Sequence, residues 1–335
     1  MEGRVLSSVS MPTTALLGCL LEAAGKSTFT GGNLGTPFSQ ATTRAYEVHA
    51  VEFSSFQLEG VDSLVALGGT ILNLTPDHLD RYPNMKAYGE AKARLFRNTP
   101  AHGFSVANAL DAHSPALCGA HPGAKLSFGR AKASATAMGD GATFTLSLGG
   151  QARFTLRNRS LRGAHNLENA MAAALLARAY GVSATVIQAG LDAFGGLPHR
   201  LESVRELNGV EWVNDSKATN VDSALVALNA FEGPVWLIAG GKGKGAPYAP
   251  LVKASVGKVR GVFTIGQDAA AIAESFAGVC PVVACETLPV AVAQAQGLAR
   301  KGDTILLSPA CASYDQFQNF EHRGDSFKAL VRKLQ

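Results

Sequence analysis

Residues 210–245 read VEWVNDSKATNVDSALVALNAFEGPVWLIAGGKGKG, and this stretch decides the fold. Its two apolar runs, Val210–Val213 and Val235–Ala239, have the length and composition of buried strands, and a helical stretch separates them. Polar or glycine-rich residues follow each run. Strands that alternate with helices in this way predict a doubly wound sheet of mostly parallel strands.

The same alternation continues to the end of the chain. Further strands are predicted at Gly261–Ile265, Val279–Ala284 and Thr304–Leu307, each separated from the next by a helical stretch. The Leu197-Pro198-His199-Arg200 segment lies between a helix and this run of strands. We therefore place the boundary of a second domain there.

The first part of the chain also alternates predicted strands with predicted helices. The predicted elements are a helix at Pro12–Gly25, strands at Lys26–Thr30, Tyr46–Phe53 and Gly69–Leu74, a helix at Met85–Phe96, a hairpin at Thr143–Leu156 and a helix at Leu167–Tyr180. We expect an α/β chain with two doubly wound, mostly parallel-sheet domains, at residues 1–197 and 198–335.

Composition excludes several classes of protein. The 335 residues are 47% hydrophobic, which is too apolar for a disordered chain, and charges interrupt every apolar run before it could span a membrane. Lys and Arg number 30 against 26 Asp and Glu, without a run of like charges, so neither nucleic acid nor a membrane is expected as a partner. The five cysteines are odd in number and have no CxxC spacing, so neither a disulfide framework nor a zinc knuckle is indicated. With no leader visible, we expect a cytoplasmic protein.

Gly25-Lys26-Ser27-Thr28 looks like the end of a phosphate-binding loop but lacks the rest of one. Such a loop has a glycine five residues before the Gly-Lys pair, follows a strand and opens a helix, so that backbone N–H groups face the phosphates. Leu20 occupies the position of that glycine, and a helix precedes the motif. We interpret Gly25 as the end of a helix and Lys26 as an exposed lysine.

Glu52 and His78 follow two strands whose carboxyl ends should lie close together. Residues beyond these ends meet in one crevice of an open parallel sheet, where ligands bind. A carboxylate and an imidazole there suit a divalent cation held beside phosphates. The alternative is structural, with Asp77 capping a helix and His78 satisfied by a hydrogen bond.

Lys92 is anomalous on its predicted helix, because it lies in the middle of an apolar stripe. That stripe is formed by Met85, Tyr88, Leu95 and Phe96. A lysine drawn to a buried face must be paired, must extend its ammonium to solvent, or must be chemically changed.

Three loops of the second domain should meet at one sheet edge, because each follows a predicted strand. They are NDSKATN at 214–220, GGKGKG at 240–245 and SPACAS at 308–313. Lys217 and Lys244 would there face an anionic ligand. Ordinary strand-to-helix turns would explain the glycines but not the clustered lysines, hydroxyls and aspartate.

Six segments together resemble the Mur ligases. They are VEFSSFQLE (51–59), NLTPDHLDRYP (73–83), GAHNLEN (163–169), LPHR (197–200), NDSKATN (214–220) and SPACASYDQFQNF (308–320). They occur in order over almost the whole chain, and SSFQLE, NDSKATN and SPACASYDQF favour the member that adds D-glutamate. The resemblance implies a central ATP- and Mg²⁺-binding domain followed by a Rossmann-like C-terminal domain.

The resemblance further implies an ATP-dependent amide-bond ligase of peptidoglycan precursor synthesis, and hence of cell-wall formation, cell shape and cell division. ATP would phosphorylate the carboxylate of UDP-N-acetylmuramoyl-L-alanine, and the amine of D-glutamate would displace the phosphate. The implied magnesium ligands are Glu52, His78 and Lys92, the last as a carbamylated lysine. The other implied roles are catalysis by Lys92, His78 and Lys217, ATP binding by Asn169, Arg200 and Asp215, and substrate binding by Asn33, Ser54, Thr219, Lys244, Ser313 and Phe320.

The chain also departs from the family. We expect the uridine-binding N-terminal domain, the first strand of the central domain and its phosphate loop to be missing, because SVSMP (8–12) stands where that loop would fall. Lys242 stands where related enzymes often carry an acidic residue. Hydrogen bonds to charged groups contribute roughly 1.5–3 kcal/mol each, so a phosphate loop that loses three of them loses about 5–9 kcal/mol of binding free energy. Micromolar binding of a nucleotide is worth only about 8 kcal/mol. We therefore expect tight ATP binding to be largely lost.

Three alternatives follow from this departure. The start of the gene is truncated or misread, or the protein is a non-catalytic remnant or binding module that retains the amino-acid-binding domain, or a separate chain supplies the missing N-terminal part. A further alternative within enzymes is a ligase resembling folylpolyglutamate synthase, which shares the ATPase architecture.

Overall fold

The computed structural model describes residues 4–78, 81–130 and 135–335. Leu79 and Asp80, which belong to one of the six segments above, lie outside the described residues. The chain forms two compact units, Met1–Gly195 (unit 1) and Gly196–Gln335 (unit 2). The division follows Gly195, whereas the sequence placed it after Leu197.

Unit 1 is built on one large sheet with helices on both faces. Its described strands are β1 (Arg4–Ser8), β2 (Thr28–Gly32), β3 (Val48–Glu52), β4 (Ala66–Ile71), β5 (Phe104–Asn108), β6 (Ala124–Arg130), β7 (Ala137–Asp140), β8 (Thr143–Ser147) and β9 (Gln151–Thr155). Its described helices are α1 (Met11–Ala23), α2 (Ser55–Glu59), α3 (Met85–Ala93), α4 (Ser114–Cys118), α5 (Ala164–Tyr180) and α6 (Ala184–Ala193). The strand order is β2-β3-β1-β4-β5-β6-β7-β8-β9, parallel as far as β7 and antiparallel beyond it.

The expectation that the first strand is missing was wrong. Arg4–Ser8 forms β1, which pairs in parallel with β3 on one side and β4 on the other. Leu6 is fully buried, and Ser7 Oγ donates a hydrogen bond to the carbonyl oxygen of Val51 at 2.9 Å. The strand has only two aliphatic residues, so its apolar signal is weak, and its place in the sheet depends on neighbours that a local pattern does not show.

Unit 2 carries a second sheet with the connectivity expected of a doubly wound fold. Its strands are β10 (Glu202–Leu207), β11 (Val210–Asn214), β12 (Val235–Gly240), β13 (Val259–Ile265), β14 (Val282–Glu286) and β15 (Thr304–Leu307). Its helices are α7 (Val221–Leu228), α8 (Ala249–Ser255), α9 (Ala269–Ser275), α10 (Leu288–Leu298) and α11 (Phe320–Lys333). The order is β10-β11-β15-β12-β13-β14, parallel except for β10 against β11.

Each sheet of the two units is covered by apolar clusters on both faces, as the α/β prediction requires. The hairpin predicted at Thr143–Leu156 is confirmed as β8 and β9, and the helix predicted to end at Tyr180 does so, with Gly181 in the left-handed region at φ 111°. Among the described residues, no helix is both long and apolar enough to cross a membrane.

Candidate functional site

Glu52 is the last residue of β3, at the carboxyl edge of the unit 1 sheet. Its partners in the flanking strands are Ser8 of β1 and Gly32 of β2. The side chain is buried, and Asn33 Nδ2 donates a hydrogen bond to Glu52 Oε1 at 3.3 Å. The backbone N–H of Asn33 donates to the carbonyl oxygen of Glu52 at 2.9 Å. A predicted metal ligand and a predicted substrate-binding residue are therefore in direct contact.

His78 and Lys92 lie against the same aromatic ring. The His78 ring centroid is 5.9 Å from that of Tyr88 and 4.8 Å from that of Phe56. Lys92 Nζ lies 4.7 Å from the Tyr88 ring centroid. His78 adopts a left-handed backbone conformation, with φ 55°, which is uncommon outside glycine. Tyr88, which the sequence assigned only to the apolar stripe, thus joins two of the three predicted metal ligands.

Burial lowers the pKa of the Lys92 ammonium, while the negative charges of Asp77 and Glu52 partly oppose the shift. A lowered pKa increases the neutral amine fraction, which is the form that reacts with carbon dioxide. Among the described residues, no group of three His, Cys, Asp or Glu side chains could hold a metal ion. A metal at Glu52 and His78 would therefore need a further donor, which a carbamate on Lys92 could supply.

Ser54 has a clear structural role at the start of α2. Its Oγ accepts a hydrogen bond from the backbone N–H of Gln57 at 3.2 Å, and Gln57 Oε1 accepts from the backbone N–H of Ser54 at 2.9 Å. This is a capping box, which fixes where α2 begins. Its predicted contact with substrate stays a prediction.

The connection from β1 to α1 is closed by a network centred on Asn169. Ser10 Oγ and Thr13 Oγ1 both donate to Asn169 Oδ1, at 3.4 Å and 2.9 Å, and Asn169 Nδ2 donates to Asn166 Oδ1 at 3.2 Å. A strand does precede a helix here, as in a phosphate loop, but the connection contains no glycine and no lysine. Pro12 also removes one N–H from the first turn of the helix.

Gly25-Lys26-Ser27-Thr28 is confirmed as the end of a helix rather than a phosphate loop. Helix α1 ends at Ala23, and Gly25 follows in the left-handed region with φ 73°. Lys26 Nζ is partly exposed and lies 3.1 Å from Glu47 Oε1.

Strands β12 and β15 are parallel neighbours, but the chain leaves them toward opposite faces of the unit 2 sheet. Helix α8, which follows β12, packs on one face, and α11, which follows β15, packs on the other. The loops at 240–245 and 308–313 therefore leave the sheet at a topological switch point, where α/β folds bind ligands. They are joined by reciprocal backbone hydrogen bonds between Lys242 and Ala312, at 2.9 Å and 3.0 Å.

Asp215 is buried directly after β11. Its Oδ2 accepts a hydrogen bond from Ser308 Oγ at 2.7 Å, and its Oδ1 accepts from the backbone N–H of Leu201 at 3.2 Å. Burial raises the pKa of Asp215 to about 7, although these two bonds and the charges of Arg200 and Arg323 act to lower it. Two residues predicted to bind ATP, Arg200 and Asp215, are therefore close enough to interact electrostatically.

Arg323 organises this edge of unit 2, and the sequence analysis missed it. The guanidinium is 1% exposed and donates to Ser216 Oγ at 2.9 Å, to the carbonyl oxygen of Ser216 at 2.9 Å and to that of Cys311 at 3.1 Å. It thereby joins two of the three predicted site loops. Arg323 is spaced with Phe327 and Val331 on the apolar stripe of α11, which is the same anomaly that identified Lys92.

The predicted substrate-binding and catalytic residues of unit 2 have different surroundings. Lys217 Nζ lies 3.7 Å from the ring centroid of Phe320, a cation–π contact that brings two of them together. Ser313 is buried, Thr219 is half-buried and Lys244 is exposed. The buried His199 packs edge-on against Phe320 with ring centroids 6.0 Å apart.

The two units match two family models in chain order. Residues 8–177 match the Mur ligase middle domain, and residues 199–311 match the Mur ligase glutamate ligase domain. The chain belongs to the Mur ligase family. This Mur ligase is 56% identical over its full length to a UDP-N-acetylmuramoylalanine–D-glutamate ligase of Myxococcus xanthus, of which it spans 78%. It is 50% identical over 95% of its length to the protein of that name from Anaeromyxobacter dehalogenans, of which it spans 72%.

Solved structures agree on the fold. The chain superposes on MurF from Acinetobacter baumannii with a TM-score of 0.75 at 19% identity, covering 99% of this chain and 77% of that one. MurF ligase from Thermotoga maritima, solved in complex with ADP, gives a TM-score of 0.72 at 17% identity, covering 99% of this chain and 81% of that one. These similarities establish the two α/β sheet domains.

Proposed function

We propose that this Mur ligase adds D-glutamate to UDP-N-acetylmuramoyl-L-alanine in an ATP-dependent, cytoplasmic step of peptidoglycan precursor synthesis. Identities of 56% and 50% to two ligases of that name support the substrates. The observation that carries the proposal is the switch point of unit 2, where the Lys217, Lys244 and Ser313 loops leave one sheet edge. A dicarboxylate needs the cations and hydroxyl donors that these loops carry.

Unit 2 supplies the groups for amino-acid recognition. Lys244 pairs with a carboxylate of D-glutamate, Ser313 donates a hydrogen bond to it, and Phe320 excludes water, which strengthens both contacts. Lys217, held against the Phe320 ring, and Thr219 contact the muramoyl substrate. Asp215 and Arg200 contact ATP.

The carboxyl edge of unit 1 fits a magnesium ion in part. Mg²⁺ prefers oxygen ligands, which Glu52 supplies, and His78 adds an imidazole nitrogen. A neutral or protonated Lys92 does not fit, whereas its carbamate would provide a second carboxylate. Bound there, the ion would neutralise developing charge on phosphate oxygens.

The connection between β1 and α1 does not fit the phosphates of a nucleoside triphosphate. Without glycines the backbone cannot curl around phosphates, and the hydroxyls of Ser10 and Thr13 are already committed to Asn169. On the free-energy scale given above, ATP then binds more weakly than micromolar. The same observation favours a second candidate function, a module that binds the amino acid without ligating it.

An assay of the full chain separates the candidates. The protein is incubated with UDP-N-acetylmuramoyl-L-alanine, radiolabelled D-glutamate and millimolar ATP with Mg²⁺, and labelled nucleotide product is counted. The ligase proposal expects product with D-glutamate and none with L-glutamate. Absence of product together with D-glutamate binding identifies the module, and a preference for L-glutamate identifies a folylpolyglutamate-synthase-like ligase.

Carbamylation of Lys92 is tested by carbon-13 NMR with labelled bicarbonate. We expect a carbamate signal in the wild type, because burial lowers the pKa of this lysine. Lys92→Arg should remove the signal, whereas Lys86→Arg, at an exposed position of the same helix, should keep it. A signal that survives Lys92→Arg would show that another lysine carries the carbamate.

A further inference from the structure

The glycine-rich turn after β12 is held by backbone contacts on two sides. Gly240 N–H donates to the carbonyl oxygen of Pro309 at 2.8 Å, and Lys242 exchanges two hydrogen bonds with Ala312. The backbone N–H of Asp268 donates to the carbonyl oxygen of Gly241 at 2.9 Å. The turn that carries Lys244 is therefore packed between the loop after β13 and the loop that carries Ser313.

The glycines of this turn are required by close approach. A Cβ added at Gly241 would lie 2.3 Å from the carbonyl oxygen of Ala312, and one at Gly243 would lie 1.9 Å from Asp268 Oδ2. Gly240 and Gly241 also have φ of 127° and 131°, which side-chain-bearing residues rarely adopt. The Asp268 carboxylate thus forms the surface on which Gly243 rests, one residue before Lys244.

Tyr248 is hydrogen-bonded to the Asp268 carboxylate and holds it in place next to the glycine-rich turn. Its hydroxyl donates a hydrogen bond to Asp268 Oδ2 at 2.8 Å, and it lies 3.1 Å from Cys311 Sγ. Tyr248 is 8% exposed and Cys311 is fully buried. Burial and these two neighbours raise the pKa of Tyr248, so the hydroxyl keeps its proton and stays a donor.

We infer that Tyr248 is a positioning residue, which through Asp268 and Cys311 holds the Lys244 turn against the Ser313 loop and so sets the affinity for an amino-acid dicarboxylate. This inference deepens the proposed function and rests on it for the identity of the ligand. Neither Tyr248 nor Asp268 needs to touch that ligand.

Tyr248→Phe removes one hydroxyl and keeps the ring. We expect the Kd for D-glutamate, measured by NMR titration of the full chain, to rise about tenfold, the size expected when one hydrogen bond to a charged group is lost. Asp268→Asn keeps an acceptor oxygen for Tyr248 and should retain most of the affinity, whereas Asp268→Ala should match Tyr248→Phe. Tyr180→Phe, in unit 1, is the matched control and should bind as the wild type does.

Amide hydrogen exchange provides a readout that needs no ligand. In Tyr248→Phe, the N–H groups of Lys242 and Ala312 should exchange faster, while amides of the β12 interior keep their protection. Unchanged exchange at these two amides would overturn the inference whether or not D-glutamate binds. Wild-type protein that fails to bind D-glutamate would instead refute the proposed ligand, and faster exchange in the variant would then still support the positioning role. Equal D-glutamate affinity in wild type and Tyr248→Phe would also overturn the inference.

Discussion

The carboxyl edges of the two sheets carry similar polar loops but are stabilised differently. In unit 2, buried Asp215 and Arg323 connect loops far apart in sequence, and these two residues with their hydrogen bonds form the frame of this edge. In unit 1, the corresponding first connection is closed by bonds from Ser10 and Thr13 to Asn169. On the proposed assignment, the amino-acid site of unit 2 has a buried supporting network, whereas the connection of unit 1 that would face the ATP phosphates has no phosphate loop.

Replacing Arg323 should give the largest effect. Arg323→Met leaves the Ser216 and Cys311 acceptors unpaired and should lower the free energy of unfolding by about 2–5 kcal/mol, because each buried acceptor that loses its partner costs about 1–3 kcal/mol. Trp212 and Trp236 both lie in unit 2, so urea unfolding followed by tryptophan fluorescence reports on this unit. Arg332→Met, at an exposed position of the same helix, is the control and should change stability by less than about 0.5 kcal/mol. If Arg323→Met lowered the free energy of unfolding by less than about 1 kcal/mol, the proposed role of Arg323 in the frame of unit 2 would be contradicted.

The raised pKa of Asp215 predicts how the stability of unit 2 depends on pH. Because its pKa is raised from 3.8 to about 7 by folding, the protonated form favours the folded state. This contribution is complete below the unfolded value and disappears as pH rises through about 7. It should amount to a few kcal/mol, on the order given by linkage. Measured from pH 4 to 8, the free energy of unfolding of the wild type should fall relative to that of Asp215→Asn as pH rises. A wild type that instead gains stability relative to Asp215→Asn would contradict the prediction.

Strands buried between parallel neighbours could be predicted where they are rich in aliphatic residues. Val235–Ala239 and Thr304–Leu307 were found in this way and form β12 and β15. Strand β5 was missed because Phe104–Asn108 contains serine, alanine and asparagine, and it is buried only because β4 and β6 flank it. Local composition does not record such pairing.

A charged residue on the apolar stripe of a helix was the most informative sequence signal for the candidate site, but only one of the two such residues was recognised. Lys92 was identified by its place on the buried face of a helix, but Arg323 satisfies the same criterion and was overlooked. Strand β10 could not be predicted from its composition. Glu202–Leu207 is a half-buried edge strand rich in charges, and it forms a strand because it pairs with β11. Distances such as that between Tyr248 and Asp268 depend on tertiary packing and leave no periodic signal.

The network that closes the first connection of unit 1 should contribute less than the frame in unit 2. Thr13→Val removes the hydroxyl that donates to Asn169 Oδ1 at 2.9 Å and should cost about 1 kcal/mol, since Ser10 still donates to the same oxygen. The change should appear in circular dichroism and in hydrogen exchange of α1, with the tryptophan signal of unit 2 unaltered. Thr185→Val, at an exposed position of α6, is the control and should have no measurable effect. A cost equal to that of Arg323→Met would erase the contrast between the two edges.

Calorimetry of the full chain with D-glutamate and with ATP–Mg²⁺ tests the contrast most directly. The account predicts D-glutamate binding that Lys244→Ala weakens by at least about tenfold, since one charged contact is lost, and ATP–Mg²⁺ binding weaker than about micromolar. Micromolar ATP–Mg²⁺ binding would contradict the assignment of the β1–α1 connection, and D-glutamate affinity unchanged in Lys244→Ala would contradict the assignment of the amino-acid site.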